Sequence, residues 1–145
     1  MTTVAKNASP QPSLPLSKLR GLSTLLRVAL KARRITNCDQ LLAIAATAAS
    51  RRRLCAEAGL DEDELLWLVR RADMARINGI GAVFGMMLEE LGIMDMPALA
   101  AADPAVLHGR LRSYNEQERI ARRSPTPEEV ESWVAQARRL PRLVS

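Results

Sequence analysis

An all-α fold is predicted by three features of the sequence. Leu, Ala and Arg dominate while aromatic residues make up only 3%, which favours helices and leaves few of the β-branched and aromatic runs that build sheets. Apolar residues recur at helical spacing between Gly, Pro, Ser, Thr and Asp punctuation. The pattern of the first half also returns in the second. Setting Gly79 against Gly21 aligns Ile77 with Leu19, Ile80 with Leu22, Val83 with Leu25, Leu88 with Leu30, Ile93 with Ile35, Asp95 with Asn37 and Leu99 with Leu41, all at one offset of 58 residues. A chain of 145 residues with 48% hydrophobic and 26% charged residues is therefore expected to pack two copies of one helical unit into a single compact domain.

Residues 1–15, MTTVAKNASPQPSLP, have no periodicity and little to bury, and are expected to form a disordered tail. The first unit is assigned to residues 16–74 and its helical pattern opens near Ser17. Leu22, Leu25, Leu26, Ala29 and Leu30 make the apolar stripe of a helix capped by Ser23 or Thr24 and running to about Arg33. Asn37 or Asp39 caps a helix over Gln40–Ala46. A third helix spans Ala48–Ala58, carries Arg51, Arg52 and Arg53, and stops at Gly59. Asp61 caps the fourth, with Glu62, Asp63 and Glu64 in the first turn, where negative charge complements the helix dipole. That placement reads as capping rather than as a metal site. Leu65, Leu66, Trp67, Leu68, Val69 and Ala72 form its buried stripe, with Arg70 and Arg71 outside, and the helical run ends near Ile77.

The second unit is assigned to residues 75–143. Ile77-Asn78-Gly79-Ile80-Gly81 is a tight turn in which glycine admits backbone angles that a Cβ obstructs, and the next helix begins near Ala82. Gly85 leaves room for the two flanking helices to approach. Asp103 followed by Pro104 starts a helix through Leu111. Tyr114–Arg123 is a polar, basic stretch, and Thr126 caps a last helix over Glu128–Leu140 that Pro141 ends. Leu60–Arg71 and Thr126–Arg138 match as well, each with early acids and then one Trp, Trp67 and Trp133, both expected to pack between elements. Val83, Phe84, Met86, Met87, Leu91, Ile93, Met94 and Met96 cover more than one helical face and are expected mainly to fill core.

A helix, a turn of the form apolar-x-Gly-apolar-Gly and a second helix make a helix-hairpin-helix pattern. Its glycines uncover backbone N–H groups of the turn and of the following helix start, which can donate to phosphate. Charge adds to this: residues 1–60 carry ten Lys/Arg against two acids, whereas residues 61–145 carry eleven against fourteen. The basic first half is the expected polyanion surface. The candidate nucleic-acid-binding residues are Lys18, Arg20, Gly21, Arg27, Lys31, Arg76, Asn78, Gly79 and Gly81. Ser23 and Arg27 stand where the second copy has Gly81 and Gly85, so one copy has the glycines and the other the charge.

The segments LLWLVRRADMARI, INGIGAVFGMMLEELGI and LRSYNEQERIARRSPTPEEVESWVAQARRL resemble the bacterial family known as domain of unknown function 4332. The resemblance covers about residues 16–143 and is best from Leu60 onward. It implies an all-α, SAM-like fold of two tandem helix-hairpin-helix repeats, with the Trp-bearing helices and the pair Arg122 and Arg123 as recurring features. It establishes no activity; nucleic-acid binding follows only by analogy with the wider superfamily.

Enzyme chemistry is not expected. Cys38 and Cys55 are isolated, as free thiols of a reducing compartment would be, and the spacing fits no zinc site. His108 has no nucleophile or carboxylate constellation, and no phosphate loop or paired acid and base is present. No cofactor is implied. The N-terminus has no signal-peptide pattern and no apolar run approaches a membrane span, so a cytoplasmic protein without membrane contact is expected. The leading expectation is sequence-independent binding of DNA or RNA through phosphate contacts. The alternative is a protein-interaction or adaptor module whose hairpins are purely structural.

Overall fold

The computed structural model describes residues 13–145, so the expected tail lies outside the described residues as far as residue 12. Ser13–Pro15, also assigned to that tail, are tied to the body. Ser13 Oγ accepts the Asp39 N–H at 3.0 Å, the Leu14 carbonyl accepts the Cys38 N–H at 2.9 Å, and Pro15 forms an isolated antiparallel bridge with Asn37.

After a 3-10 turn at Leu16–Lys18 the described chain holds eight α-helices and no strand. They are α1 (Thr24–Ala32), α2 (Cys38–Ala45), α3 (Ala48–Ala58), α4 (Glu62–Met74), α5 (Gly81–Glu90), α6 (Met96–Ala100), α7 (Pro104–Glu118) and α8 (Pro127–Arg139). Side-chain caps set most of the starts. Ser23, Asp61, Asp95 and Asp103 accept first-turn N–H groups, and Asn37–Gln40, Thr47–Ser50 and Thr126–Glu129 form reciprocal capping boxes. Each such cap contributes about 1 kcal/mol. Gly59 closes α3 in the left-handed conformation.

Several boundaries differ from expectation. α2 begins at Cys38, two residues before Gln40, because Asn37 is the cap. α4 stops at Met74, well before Ile77. α7 does not end at Leu111 but runs to Glu118, since Tyr114 is half-buried and the buried Asn115 faces inward. Asn115 then holds the next loop: its Nδ2 donates to the Ala121 carbonyl at 3.2 Å and its Oδ1 accepts the Ala121 N–H at 2.8 Å. The stripe of α1 is Leu26 and Leu30, with Leu22 and Ala29 half-buried, whereas Leu25 stands 66% exposed.

Two apolar clusters form. Leu26, Leu30, Leu41, Leu65 and Leu68 lead the first, and Ile77, Met87, Leu88, Leu99, Leu111 and Trp133 lead the second. Met87, Leu88 and Met96 of the methionine-rich stretch are core, while Val83 and Met94 are exposed. The division falls within α4, between Ala72 and Met74. Asp73 lies between them, 4% exposed and paired with Arg76 at 2.8 Å. Burial pushes its carboxyl up, against the pull of Arg76. α2 packs on α3 and α4; α8 packs on α6 and α7; α6 also touches α4.

The same local geometry recurs at equal spacing. Gly21 and Gly79 have φ of +78° and +93°, Arg34 and Gly92 have +61° and +88°, and the N–H groups of Ile35 and Ile93 donate to Leu30 and Leu88 at 2.9 Å. For the fourth helices, the caps Asp61 and Thr126 set another register: Leu65, Leu68, Val69 and Ala72 take the places of Val130, Trp133, Val134 and Ala137, all buried. Trp67 therefore corresponds to Ser132 and not to Trp133. It is half-buried under the guanidinium groups of Arg70 and Arg71, 5.2 and 5.8 Å from the ring centre, whereas Trp133 is 1% exposed. Matching the two tryptophans by type misplaced one of them by a residue, and one residue turns a helical side chain by about 100°.

The start of α8 sets an acid limit on stability. Glu129 takes the Arg123 fork at 2.6 and 2.9 Å and the Thr126 N–H at 2.8 Å; first Arg123 and then Thr126 hold its carboxyl down at about 2. A carboxylate held below its ordinary value stabilises the fold while ionised, fully above about pH 5, and the contribution is lost as pH falls toward the folded value. Glu129→Gln keeps the box but not the charge. Its melting temperature is expected to fall less than that of the parent between about pH 6 and pH 3, as scanning calorimetry would show.

Candidate nucleic-acid interface

Where the two apolar clusters meet, the end of the 3-10 turn faces the start of α5. Lys18, Leu19 and Arg20 line one side of a cleft, and Ile80, Gly81, Ala82 and Gly85 line the other. Arg71 of α4 closes it from below. Its guanidinium donates to Glu89 at 2.7 and 2.9 Å and to the Arg20 carbonyl at 3.0 Å, while Arg20 itself pairs with Glu90 at 2.8 Å. The Arg71 hydrogen bond holds the Glu89 carboxyl below the usual carboxylate range, and the bond to Glu90 raises the pKa of Arg20. Both acids of this rim are thus neutralised by arginines of the first unit.

The turn before α5 is held from α8. The Asn78 N–H donates to Gln136 Oε1 at 2.8 Å, and Gln136 Nε2 donates back to the Asn78 carbonyl at 3.2 Å. A Cβ on Gly79 would lie 3.3 Å from the indole nitrogen of Trp133. α5 then starts at Gly81, φ +63°, with Ile80 in the cap position, so no side chain accepts its first-turn N–H groups. An uncapped start carries partial positive charge toward solvent. The first unit is the opposite case. Ser23 accepts the Leu26 N–H at 3.2 Å and donates to Glu64 at 2.5 Å, which covers the start of α1.

The predicted residues separate into three groups. Lys18, Arg20 and Gly81 gather on the cleft; Asn78 and Gly79 form the exposed turn that leads into it, and Gly21 abuts the Arg71 guanidinium. Arg27 and Lys31 instead line another groove, over Leu16, Leu22 and Ile35. Arg76 joins neither group, being engaged by Asp73 and by the Pro141 carbonyl at 3.2 Å. Gly85 is not a helix-approach position: a Cβ there would meet only Ile80 Cγ2, at an ordinary 3.4 Å.

Sequence reading missed Arg71, Glu89 and Gln136. A signal for two of them existed. Arg71 and Gln136 occupy equivalent places in α4 and α8, and each donates to the carbonyl just before the left-handed glycine, that of Arg20 or of Asn78.

Among the described residues no group of three His, Cys, Asp or Glu side chains is placed to hold a metal ion. Cys38 and Cys55 are buried free thiols, and burial pushes that of Cys38 up to about 11. No described helix is long and apolar enough to cross a membrane.

The family profile described as Domain of unknown function (DUF4332) matches residues 20–140. No curated protein and no solved structure matches the chain.

Proposed function

The chain belongs to the DUF4332 family, and on that premise we propose that it is a tandem helix-hairpin-helix protein that binds the phosphate backbone of DNA or RNA without reading base sequence. One juxtaposition carries the proposal. Lys18 of the first unit and the uncapped start of α5 at Gly81 and Ala82 of the second line the same cleft. The charge lacking around one hairpin comes from the other unit. A phosphate in the cleft would accept from first-turn N–H groups and meet the Lys18 ammonium, with Glu89 and Glu90 already neutralised by Arg71 and Arg20. Such contacts position a backbone and carry no base information.

Fluorescence anisotropy with labelled duplex and single-stranded oligonucleotides tests this. Binding is expected at about 50 mM salt and should weaken steeply as salt rises, and Lys18→Ala should lower the slope of log K against log salt by about one. No binding at that salt, or binding indifferent to salt, overturns the proposal.

A second reading, an adaptor that docks a protein, is favoured by α1, where Leu25 and Val28 are 66% and 53% exposed beside Arg27 and Lys31. Light-scattering mass and pull-down separate the two: a clean monomer that captures no protein argues against the adaptor.

A further inference from the structure

Arg51 of α3 is a buried cation, 6% exposed, whose described hydrogen-bond partners are all main-chain oxygens. Its Nη1 donates to the Ala45 carbonyl at 3.1 Å and to the Ala46 carbonyl at 2.7 Å, across the corner between α2 and α3. Its Nη2 reaches a backbone oxygen of Ser145, at the far end of the second unit. The Ser145 N–H donates in turn to the Ala46 carbonyl at 3.0 Å, and Val144 packs against the first apolar cluster.

The segment that makes these contacts has left its own unit. α8 ends at Arg139 and belongs to the second cluster, yet residues 141–145 run without regular structure back to the first. Between the ends of this run little is buried. Pro141, Arg142 and Leu143 are exposed, and only the Pro141 carbonyl is held, by Arg76. The anchoring therefore concentrates on Arg51, Ala46 and the Val144 side chain. Taking the segment away would leave a buried guanidinium short of an acceptor, an outcome that costs more than an ordinary hydrogen bond.

We propose that the α2–α3 corner is a receptor slot for extended backbone, that its occupant is the chain's own Pro141–Ser145 strap, and that this strap latches the second unit onto the first. It is a tie separate from the Arg20–Glu90 and Arg71–Glu89 pairs, and it does not depend on nucleic-acid binding.

Amide hydrogen exchange on the full chain, on a chain ended after Leu140 and on Arg51→Gln in both lengths tests the latch. Ending the chain after Leu140 is expected to speed exchange over residues 45–51 by about tenfold while α7 stays within about twofold. Arg51→Gln in the full chain should give the same local pattern, and both changes together no more than either alone. If Arg51→Gln does not fold, Val144→Ser in the full chain is compared with the shortened chain instead, because it weakens the strap and leaves Arg51 intact, and it should speed exchange over the same residues 45–51 without touching α7. Unchanged exchange over residues 45–51 in the shortened chain, acceleration shared equally by both units, or fully multiplicative effects of the two changes would overturn the proposal.

Discussion

Trp133→Ala is expected to destabilise the protein by about 3–5 kcal/mol, the range for a fully buried aromatic truncated to a methyl. Trp133 is 1% exposed in the second cluster, lies 5.4 Å from Phe84 with the rings tilted at 45°, and has its indole nitrogen beside Gly79. The truncation would leave a cavity in the second cluster, beside Phe84, and remove the wall against which Gly79 rests. Trp67→Ala is expected to cost less than about 1 kcal/mol, because the ring is half-buried and what it loses is mainly its cover by Arg70 and Arg71. Urea denaturation of both variants checks the pair. Equal losses would mean that the two tryptophans are structural equivalents after all.

Arg71→Met is expected to cost about 2 kcal/mol, below the range for breaking a fully buried ion pair because some solvent screening remains. Its side chain is 20% exposed and that of Glu89 15%. The change strands the Glu89 carboxylate, frees the Arg20 carbonyl and removes the guanidinium packed against Gly21. Pairing it with Glu89→Leu should recover part of the loss, since the stranded charge is then gone. A double-mutant cycle in urea measures the coupling. Because Arg71 holds the Glu89 carboxyl below its usual range, the pair's contribution is fully present above the ordinary carboxylate pKa and is lost as pH falls through the depressed one. The penalty of Arg71→Met should therefore shrink on acidification.

Much of the fold could be read directly from residue order. Caps depend on neighbours within a turn, so Ser23, Asp61, Asp103 and Thr126 start helices where their sequence context says they should. The glycine at position 59 ends α3 for a reason equally local. Where the sequence misled, contacts beyond a single helical turn, or their lack, decided the outcome. Asn115 belonged to a stretch that read only as polar and basic, beyond the helix expected to run through Leu111, yet the Ala121 backbone satisfies it and α7 continues past it. Leu25 matched a helical stripe, but among the described residues no second element covers that side of α1, and the residue is 66% exposed.

The candidate site divides the same way. The glycine turn at Gly79 and Gly81 and the missing cap before α5 were legible in the sequence alone, because glycine admits φ > 0 in a tight turn and Ile80 offers no capping oxygen. Which charges stand beside that start was decided only by tertiary structure. Packing brings Lys18 across to Gly81, spends Arg20 and Arg71 on Glu90 and Glu89, turns Arg76 toward Asp73 and Pro141, and leaves Arg27 and Lys31 on another groove. Linear spacing places residues on a turn or a face of one helix, whereas a side chain's partner depends on how two units dock, and that docking is set by burial of the apolar faces as a whole.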